Sequence, residues 1–205
     1  HQKSRKIFVY VFLLFLIGTF HNKNLNKINF LKIEYIDISG LNAEKNLEIF
    51  ESLKVLKIDN LFLLKKFQIE KLINSFNYVE NYSVFKNYPS SIKIELSETN
   101  YLANVTKNNI NFYLGSNKKL IKAQDKKKNL PYIFGNFNLE KFFELKKIID
   151  RLKFDKEKIK NYYFFPSGRW DIEMKSGILL KLSRDELEKS LKLSINILKA
   201  KNIKD

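Results

Sequence analysis

The chain has 205 residues, of which 44% are hydrophobic and 29% charged, so it is long enough for one or two domains and too short for a large barrel enzyme. It contains no cysteine, which excludes disulfides, thiolate nucleophiles and cysteine-ligated metal sites. The two histidines, His1 and His21, both lie near the N-terminus, so a histidine-based catalytic site in the body of the chain is also excluded.

The net charge of +16 raises nucleic acid as a partner. The basic residues, however, are 34 lysines and only 4 arginines, whereas proteins that read bases or grip phosphates use arginine heavily. We therefore expect no nucleic-acid partner. Residues 31–98 carry 9 basic and 10 acidic residues and residues 99–205 carry 24 and 12, which indicates two domains after residue 30.

The first organised segment is the apolar run from Ile7 to Phe20, which follows three basic residues. The 16 residues between Lys6 and Lys23 would form a helix of about 24 Å, short for a hydrocarbon core of roughly 30 Å unless both lysines snorkel. A cleaved signal peptide is the alternative, but cleavage needs small residues and the first alanine is Ala43. Residues 1–22 are therefore predicted to be a cytoplasmic stub with an uncleaved transmembrane signal anchor.

Residues 23–30 read as a polar tether, and the segment LKIEYIDISG then predicts a strand that ends at Gly40. Asn42 is a candidate helix N-cap. Two helices should follow, with apolar faces formed by Leu47, Phe50, Leu53 and Leu56, and by Ile69, Leu72, Ile73 and Phe76. A strand through Tyr82 and Val84 ends at a Tyr88–Pro89 turn, and in the next strand, SIKIELSE, the inward residues are Ile92, Ile94 and Leu96.

From Tyr101 onward short strands dominate, and YLANV, NINFYLG, LIKAQ and LPYIFG are expected to form a small meander. The lysine-rich run at 118–128 reads as a solvated loop, with anionic lipid or an acidic partner as the alternative. LEKFFELKKIIDRL is an amphipathic helix. A hairpin around Gly177 joins WDIEM to ILLKL, and a last helix starts at Asp185. The fold class is therefore α+β.

The order of these segments resembles that of the bacterial cell division family FtsQ, called DivIB in Gram-positive lineages. The resemblance rests on the short N-terminal span, on IDISG leading into two helices, on FNYVENYSVFKNYPSSIKIELSE, and on RWDIEMKSGILLKLSR with the helix after it. It implies a POTRA domain at 31–98 and a β domain at 99–205, in which the family's final strand is expected to be missing. This chain has Tyr78 and Tyr88 where the family has tryptophan, and it lacks the usual proline near Tyr101.

The resemblance also implies a non-catalytic scaffold without cofactors, located at the septum in the cytoplasmic (inner) membrane with its C-terminal domains in the periplasm. Its expected partners are FtsK for the POTRA domain and membrane segment, FtsB and FtsL for the β domain, other divisome proteins and membrane lipid. The matching positions for upstream recruitment are Asn81, Val84 and Lys86, and Glu98 matches the glutamate that closes the domain.

The downstream contact is expected near the hairpin and on the last helix, at Arg169, Trp170, Ile178, Leu180 and Leu182. Arginine and tryptophan dominate interface energetics, and an unpaired sheet edge can accept a partner strand. Each residue has a structural alternative as well: a lone tryptophan is usually a core residue, Val84 can be simple strand packing, and Lys86 can be a solvated lysine.

Two other functions stay open on the sequence. One is a POTRA-containing module of a protein transport or outer-membrane assembly system, although such proteins carry repeated POTRA units or a long barrel. The other is a basic membrane-surface or nucleic-acid binder. An enzyme is disfavoured because the chain has no glycine-rich phosphate loop and lacks the residues of the usual catalytic constellations.

Overall fold

The computed structural model describes residues 2–19, 32–58, 60–123 and 129–200. These residues contain five α-helices: α1 (Gln2–Thr19), α2 (Ala43–Leu53), α3 (Lys66–Ile73), α4 (Leu139–Arg151) and α5 (Leu187–Ala200). Short 3-10 helices lie at Lys54–Ile58 and Lys156–Lys158. The ten strands are β1 (Tyr35–Ser39), β2 (Val79–Asn87), β3 (Ser91–Glu98), β4 (Tyr101–Lys107), β5 (Ile110–Gly115), β6 (Leu120–Lys122), β7 (Tyr132–Phe134), β8 (Ile159–Phe164), β9 (Trp170–Met174) and β10 (Leu179–Lys181).

The first three strands form a sheet in the order β1-β3-β2, with β1 parallel and β2 antiparallel to β3. This arrangement confirms the predicted order of strand, helix, helix, strand, strand. The alternation in SIKIELSE is confirmed as well, because Ile92, Ile94 and Leu96 are all buried. They contribute to a core that β1, α2 and α3 complete, with Ile36, Ile49, Leu53, Ile69 and Ile73.

Two local features of the sequence fix how this unit begins. Asn42 caps α2, since its Oδ1 accepts a hydrogen bond from the amide of Lys45 at 2.9 Å. Gly40 ends β1 with a φ of +106°, and a Cβ there would lie 1.9 Å from the carbonyl oxygen of Leu96. Only glycine satisfies both conditions, so the turn from β1 into α2 depends on this residue.

The predicted apolar face of α2 is wrong at one position. Leu47 is 58% exposed, whereas Ile49, which the helical spacing passed over, is fully buried. Ile49 and Leu53 form an i, i+4 pair, and the 3-10 helix after Leu53 then brings Leu56 inward three residues later. The predicted residues recur at every third position, and because an α-helix has 3.6 residues per turn, that spacing drifts around the helix and leaves Leu47 off the buried face.

The remaining strands form a seven-stranded sheet in the order β10-β9-β8-β7-β4-β5-β6. The predicted meander holds for β4, β5 and β6 only, because β7 lies beside β4 and runs parallel to both β4 and β8. The β8 strand was not predicted from the sequence. The helices α4 and α5 contribute Phe142, Leu145, Ile149 and Leu191 to a second core that includes Trp170.

The buried apolar residues thus form two separate clusters, one within residues 33–96 and the other within residues 103–191. The predicted domain boundary at residue 98 falls between them. The α+β fold class is confirmed, and whether each unit folds by itself stays a prediction.

The helix α1 occupies the N-terminal segment for which an anchor was predicted. Its apolar side chains from Ile7 to Leu16 are exposed. Over the described part of the chain, no helix combines the length and the apolar character needed to cross a membrane, so the transmembrane anchor stays a prediction. The predicted tether at 23–30 and most of the lysine-rich run, 124–128, lie outside the described residues.

Candidate partner-binding surfaces

The strand β10 forms one edge of the seven-stranded sheet, next to β9. Ile178 accepts from the Met174 amide at 2.8 Å, and the Leu182 amide donates to Trp170 at 2.9 Å. Hydrogen bonding alternates along an antiparallel strand, so the backbone of Leu179 and Lys181 points away from β9. In the described residues no further strand pairs with this side, which leaves an edge that can accept an extended peptide.

Three side chains expected at a partner contact lie in the core beneath this edge. Trp170 is 2% exposed, and Leu180 and Leu182 are buried with it. Trp170 contacts the rings of Phe142 and Phe164, at centroid distances of 6.2 and 4.7 Å. A partner at β10 would therefore meet the backbone of this region, while these side chains hold the strand in place.

Arg169, which was also expected at the partner contact, is paired with a buried carboxylate of this chain. Its Nε and Nη2 donate to the two carboxylate oxygens of Asp171, at 2.9 and 3.2 Å, and Asp171 is buried. The guanidinium also lies 4.7 Å from the centre of the Phe165 ring. Because the side chain is still 41% exposed, Arg169 can contact a partner only through the part that Asp171 leaves open.

On the face opposite α4 and α5, Glu173 is the centre of a polar cluster beside β10. Its carboxylate accepts from Lys160 Nζ at 2.8 Å, from Asn161 Nδ2 at 2.8 Å and from the Tyr163 hydroxyl at 2.6 Å. The Lys160 hydrogen bond, followed by those from Tyr163 and Asn161, lowers the pKa of Glu173 to about 2. A groove of about 450 Å³ that includes Leu179 lies next to this fixed negative charge.

An aromatic row on the same face was not anticipated from the sequence. The rings of Tyr132 and Phe134 are 4.4 Å apart, and Phe134 stacks on Tyr163 at 5.1 Å with an interplanar angle of 10°. The period-2 spacing of Tyr132 and Phe134 on either side of the buried Ile133 was the available signal. The row extends the accessible surface from β10 across β8 to β7.

The second candidate surface is β2, which lies at one edge of the three-stranded sheet. Of the positions matched to upstream recruitment, Asn81 is exposed and Val84 is half-buried against the first core. Lys86 is held in place, because its Nζ donates to the carbonyl oxygens of Leu61 at 2.9 Å and Leu64 at 2.7 Å. A groove of about 590 Å³ runs between this strand and α3.

Glu98 belongs to neither surface. Its carboxylate contacts Lys45 Nζ at 2.6 Å and also accepts from the Tyr101 hydroxyl. Lys45 and Tyr101 come from the two different units, so Glu98 joins them. The pKa of Lys45 is raised by the Glu98 and Tyr101 hydrogen bonds, which outweigh the opposing effect of burial, and the pKa of Tyr101 is raised by burial and by Glu98.

A second set of hydrogen bonds between the two units centres on Asn117. Its Nδ2 donates to the carbonyl oxygens of Asn77 at 2.8 Å and Val79 at 3.0 Å. Glu80 Oε2 accepts from Ser116 Oγ at 2.9 Å alongside. We call these contacts and the Lys45–Glu98–Tyr101 cluster the polar junction. Of its residues only Glu98 was singled out from the sequence, because the others are scattered polar side chains that no local pattern brings together.

Nothing in this geometry forms a metal centre. Within the described ranges there is no group of three or more His, Cys, Asp or Glu residues that could hold a metal ion. The two surfaces are a sheet edge with grooves and a strand beside a helix, which are arrangements suited to binding polypeptide.

One family model matches part of the chain. Residues 31–99 match the model of the POTRA domain of the FtsQ type. Among solved structures, the chain is similar to the major extracytoplasmic domain of the trans isomer of the bacterial cell division protein DivIB from Geobacillus stearothermophilus. The identity is 18%, the alignment covers 53% of this chain and 99% of that one, and the TM-score is 0.37. No curated protein matches the chain.

Proposed function

We propose, from the match of residues 31–99 to the FtsQ-type POTRA domain, that this chain is a non-catalytic, membrane-anchored scaffold of the bacterial divisome, of the FtsQ/DivIB type. The domain match carries the proposal. The second unit adds a sheet edge and a groove, which suit a protein whose work is binding rather than catalysis.

In this proposal α1 is the anchor, and the protein lies in the cytoplasmic membrane at the septum with residues 32–200 in the periplasm. The exposed apolar side chains from Ile7 to Leu16 support it, because water does not favour such a surface and lipid does. The basic residues before Ile7 favour a cytoplasmic N-terminus.

We propose FtsB and FtsL as the partners of the β10 edge. An extended segment of the pair would add a strand beside Leu179 and Lys181, whose backbone groups point outward. The neighbouring helix α5 would supply side-chain contacts, since Leu193 and Ile197 are exposed there. The net positive charge of this unit would speed association with an acidic segment.

We propose FtsK as the partner of the POTRA domain, at β2 and the groove beside α3. Asn81 is available for contact, whereas Lys86 acts through the loop that it holds. The alternative role, in a transport or assembly system, receives no support from the second unit, because its seven-stranded sheet does not repeat the three-stranded POTRA sheet.

The test is a pull-down with the full chain in detergent or nanodiscs, using the proteins of the division complex as prey. Capture of the FtsB and FtsL pair by the wild-type chain would support the scaffold, and its loss on Leu180→Pro, which breaks the pairing of β10 with β9, would support the proposed surface. Capture of outer-membrane assembly proteins instead would refute the divisome role.

A further inference from the structure

Four apolar and aromatic side chains of the POTRA domain are exposed on the loop at 60–64, at the start of α3 and just after β2. Phe62 is 67% exposed, Leu63 74%, Phe67 62% and Tyr88 57%, and the rings of Phe62 and Tyr88 are 5.7 Å apart. Together they expose on the order of a few hundred Å² of mostly apolar surface, which is the size of the largest patch on a typical monomer and often marks a functional surface. We call these four residues the aromatic patch.

The patch is built on a loop that the fold holds rigidly. Leu61 and Leu64 are buried, and the side chain of Asn60 accepts from the Phe62 amide at 2.8 Å. Lys86 fixes the same loop from β2 through the carbonyls of Leu61 and Leu64. Since the two buried leucines flank the exposed Phe62 and Leu63, the loop cannot turn the exposed pair inward without moving Leu61 and Leu64 out of the core.

The patch lies where the chain arrives from α1. Lys32, the first described residue after the helix, forms a β-bridge with Asn60, at the start of the patch loop. The Glu34 amide donates to Ser90 at 2.8 Å, in the turn that carries Tyr88. Thirteen residue steps separate Lys32 from the end of α1, which limits that separation to about 45 Å when fully extended.

Two lysines adjoin the patch. Lys65 and Lys66 directly precede Phe67 and are both exposed, and Lys66 also pairs with Glu70 at 3.2 Å. Aromatic side chains flanked by lysines suit the boundary between lipid headgroups and acyl chains, where rings bury their apolar part and ammonium groups meet anionic lipid.

We propose that the aromatic patch is a second membrane contact, which docks the POTRA domain on the headgroup region of an anionic bilayer. This inference rests on the proposed function, since it takes α1 as the anchor. A lipid surface fits better than a protein partner because the patch adjoins the segment that leads from α1 and carries its own lysines. Docking would fix the distance between β2 and the membrane, and therefore the distance from the membrane at which a partner could contact β2.

The test exploits the absence of cysteine, which allows a single labelled site in the full chain. Leu63→Cys carries an environment-sensitive fluorophore, and Leu193→Cys, a 60% exposed leucine on α5, is the matched control. Each labelled chain is reconstituted into vesicles of phosphatidylcholine, with or without about 30% phosphatidylglycerol. Flotation reports anchoring, and quenching by iodide reports exposure of the label.

We expect iodide quenching at residue 63 to fall about three-fold in the anionic vesicles and to recover in high salt, with little change at residue 193. A chain that floats with equal quenching at both sites would overturn the docking proposal and leave the anchor standing. A chain that does not float would refute both the anchor and the docking proposal. Protection at residue 63 that grows with protein concentration and is equal in both vesicles would indicate a protein contact and overturn the proposal.

Discussion

The polar junction makes a quantitative prediction about Asn117. Replacing it with alanine removes the two hydrogen bonds that its Nδ2 donates to Asn77 and Val79, and the one that its Oδ1 accepts from the Lys119 amide. A hydrogen bond contributes about 1 kcal/mol net, so Asn117→Ala should lower the free energy of unfolding by about 3 kcal/mol. The loss should also loosen the orientation of the two units, because the two bonds from Nδ2 cross between them.

Urea unfolding followed by the fluorescence of Trp170, the sole tryptophan, measures the stability change. Asn87→Ala is the control, since Asn87 is exposed at the far end of β2. A pair of spin labels at Leu47→Cys and Leu193→Cys, one in each unit, reports orientation, and we expect a broader distance distribution in the variant. A stability change below about 0.5 kcal/mol, together with an unchanged distribution, would refute the reasoning.

Three further predictions concern pH, backbone and domain boundary. The pKa of Glu173 is lowered from 4.5 to about 2, so its carboxylate should stabilise the folded state. The difference in free energy of unfolding between wild type and Glu173→Gln should be fully present above about pH 4.5 and should decline as the pH falls toward 2. A pH-independent difference in urea unfolding would contradict this. Gly40→Ala should lower the free energy of unfolding by more than about 2 kcal/mol, because the added Cβ would meet the Leu96 carbonyl. Gly177→Ala should lower it by about 1 kcal/mol, because Gly177 has a φ of +86° but open space around it. Equal losses in urea unfolding would refute the steric argument. Residues 31–98 expressed alone should unfold cooperatively in a thermal melt, and a fragment without amide exchange protection would refute the boundary.

The sequence predicted those parts of the fold where a local period and the tertiary packing agree. β3 is the clearest case, since its alternating isoleucines and leucine all face one core. β8 was missed because a register shift between Ile159 and Asn161 interrupts its alternation, and aromatic residues then occupy both faces. The parallel pairing of β7 with β4 could not be predicted either, because it depends on contacts distant along the chain.

The same distinction between local sequence patterns and tertiary packing applies to the candidate site. The hairpin around Gly177 was predicted, and the structure places it at a sheet edge. Three of the side chains expected at the partner contact there, those of Trp170, Leu180 and Leu182, are buried. Trp170 has the composition expected of an interface, but its burial is decided by the packing of α4 and by Phe164, which no local pattern in the sequence reveals.

The most direct test of the scaffold account is the affinity of the FtsB and FtsL pair for the full chain and for Lys181→Pro. Proline at this position removes an amide that points away from β9, so the sheet keeps its own pairing while the edge loses a donor. Lys181→Ala is the control for the lost charge. We predict that the pair binds wild type and Lys181→Ala similarly and binds Lys181→Pro at least about ten-fold more weakly, which corresponds to about 1.4 kcal/mol. Equal affinity for all three chains would contradict strand addition at β10, and no binding to wild type would contradict the scaffold itself.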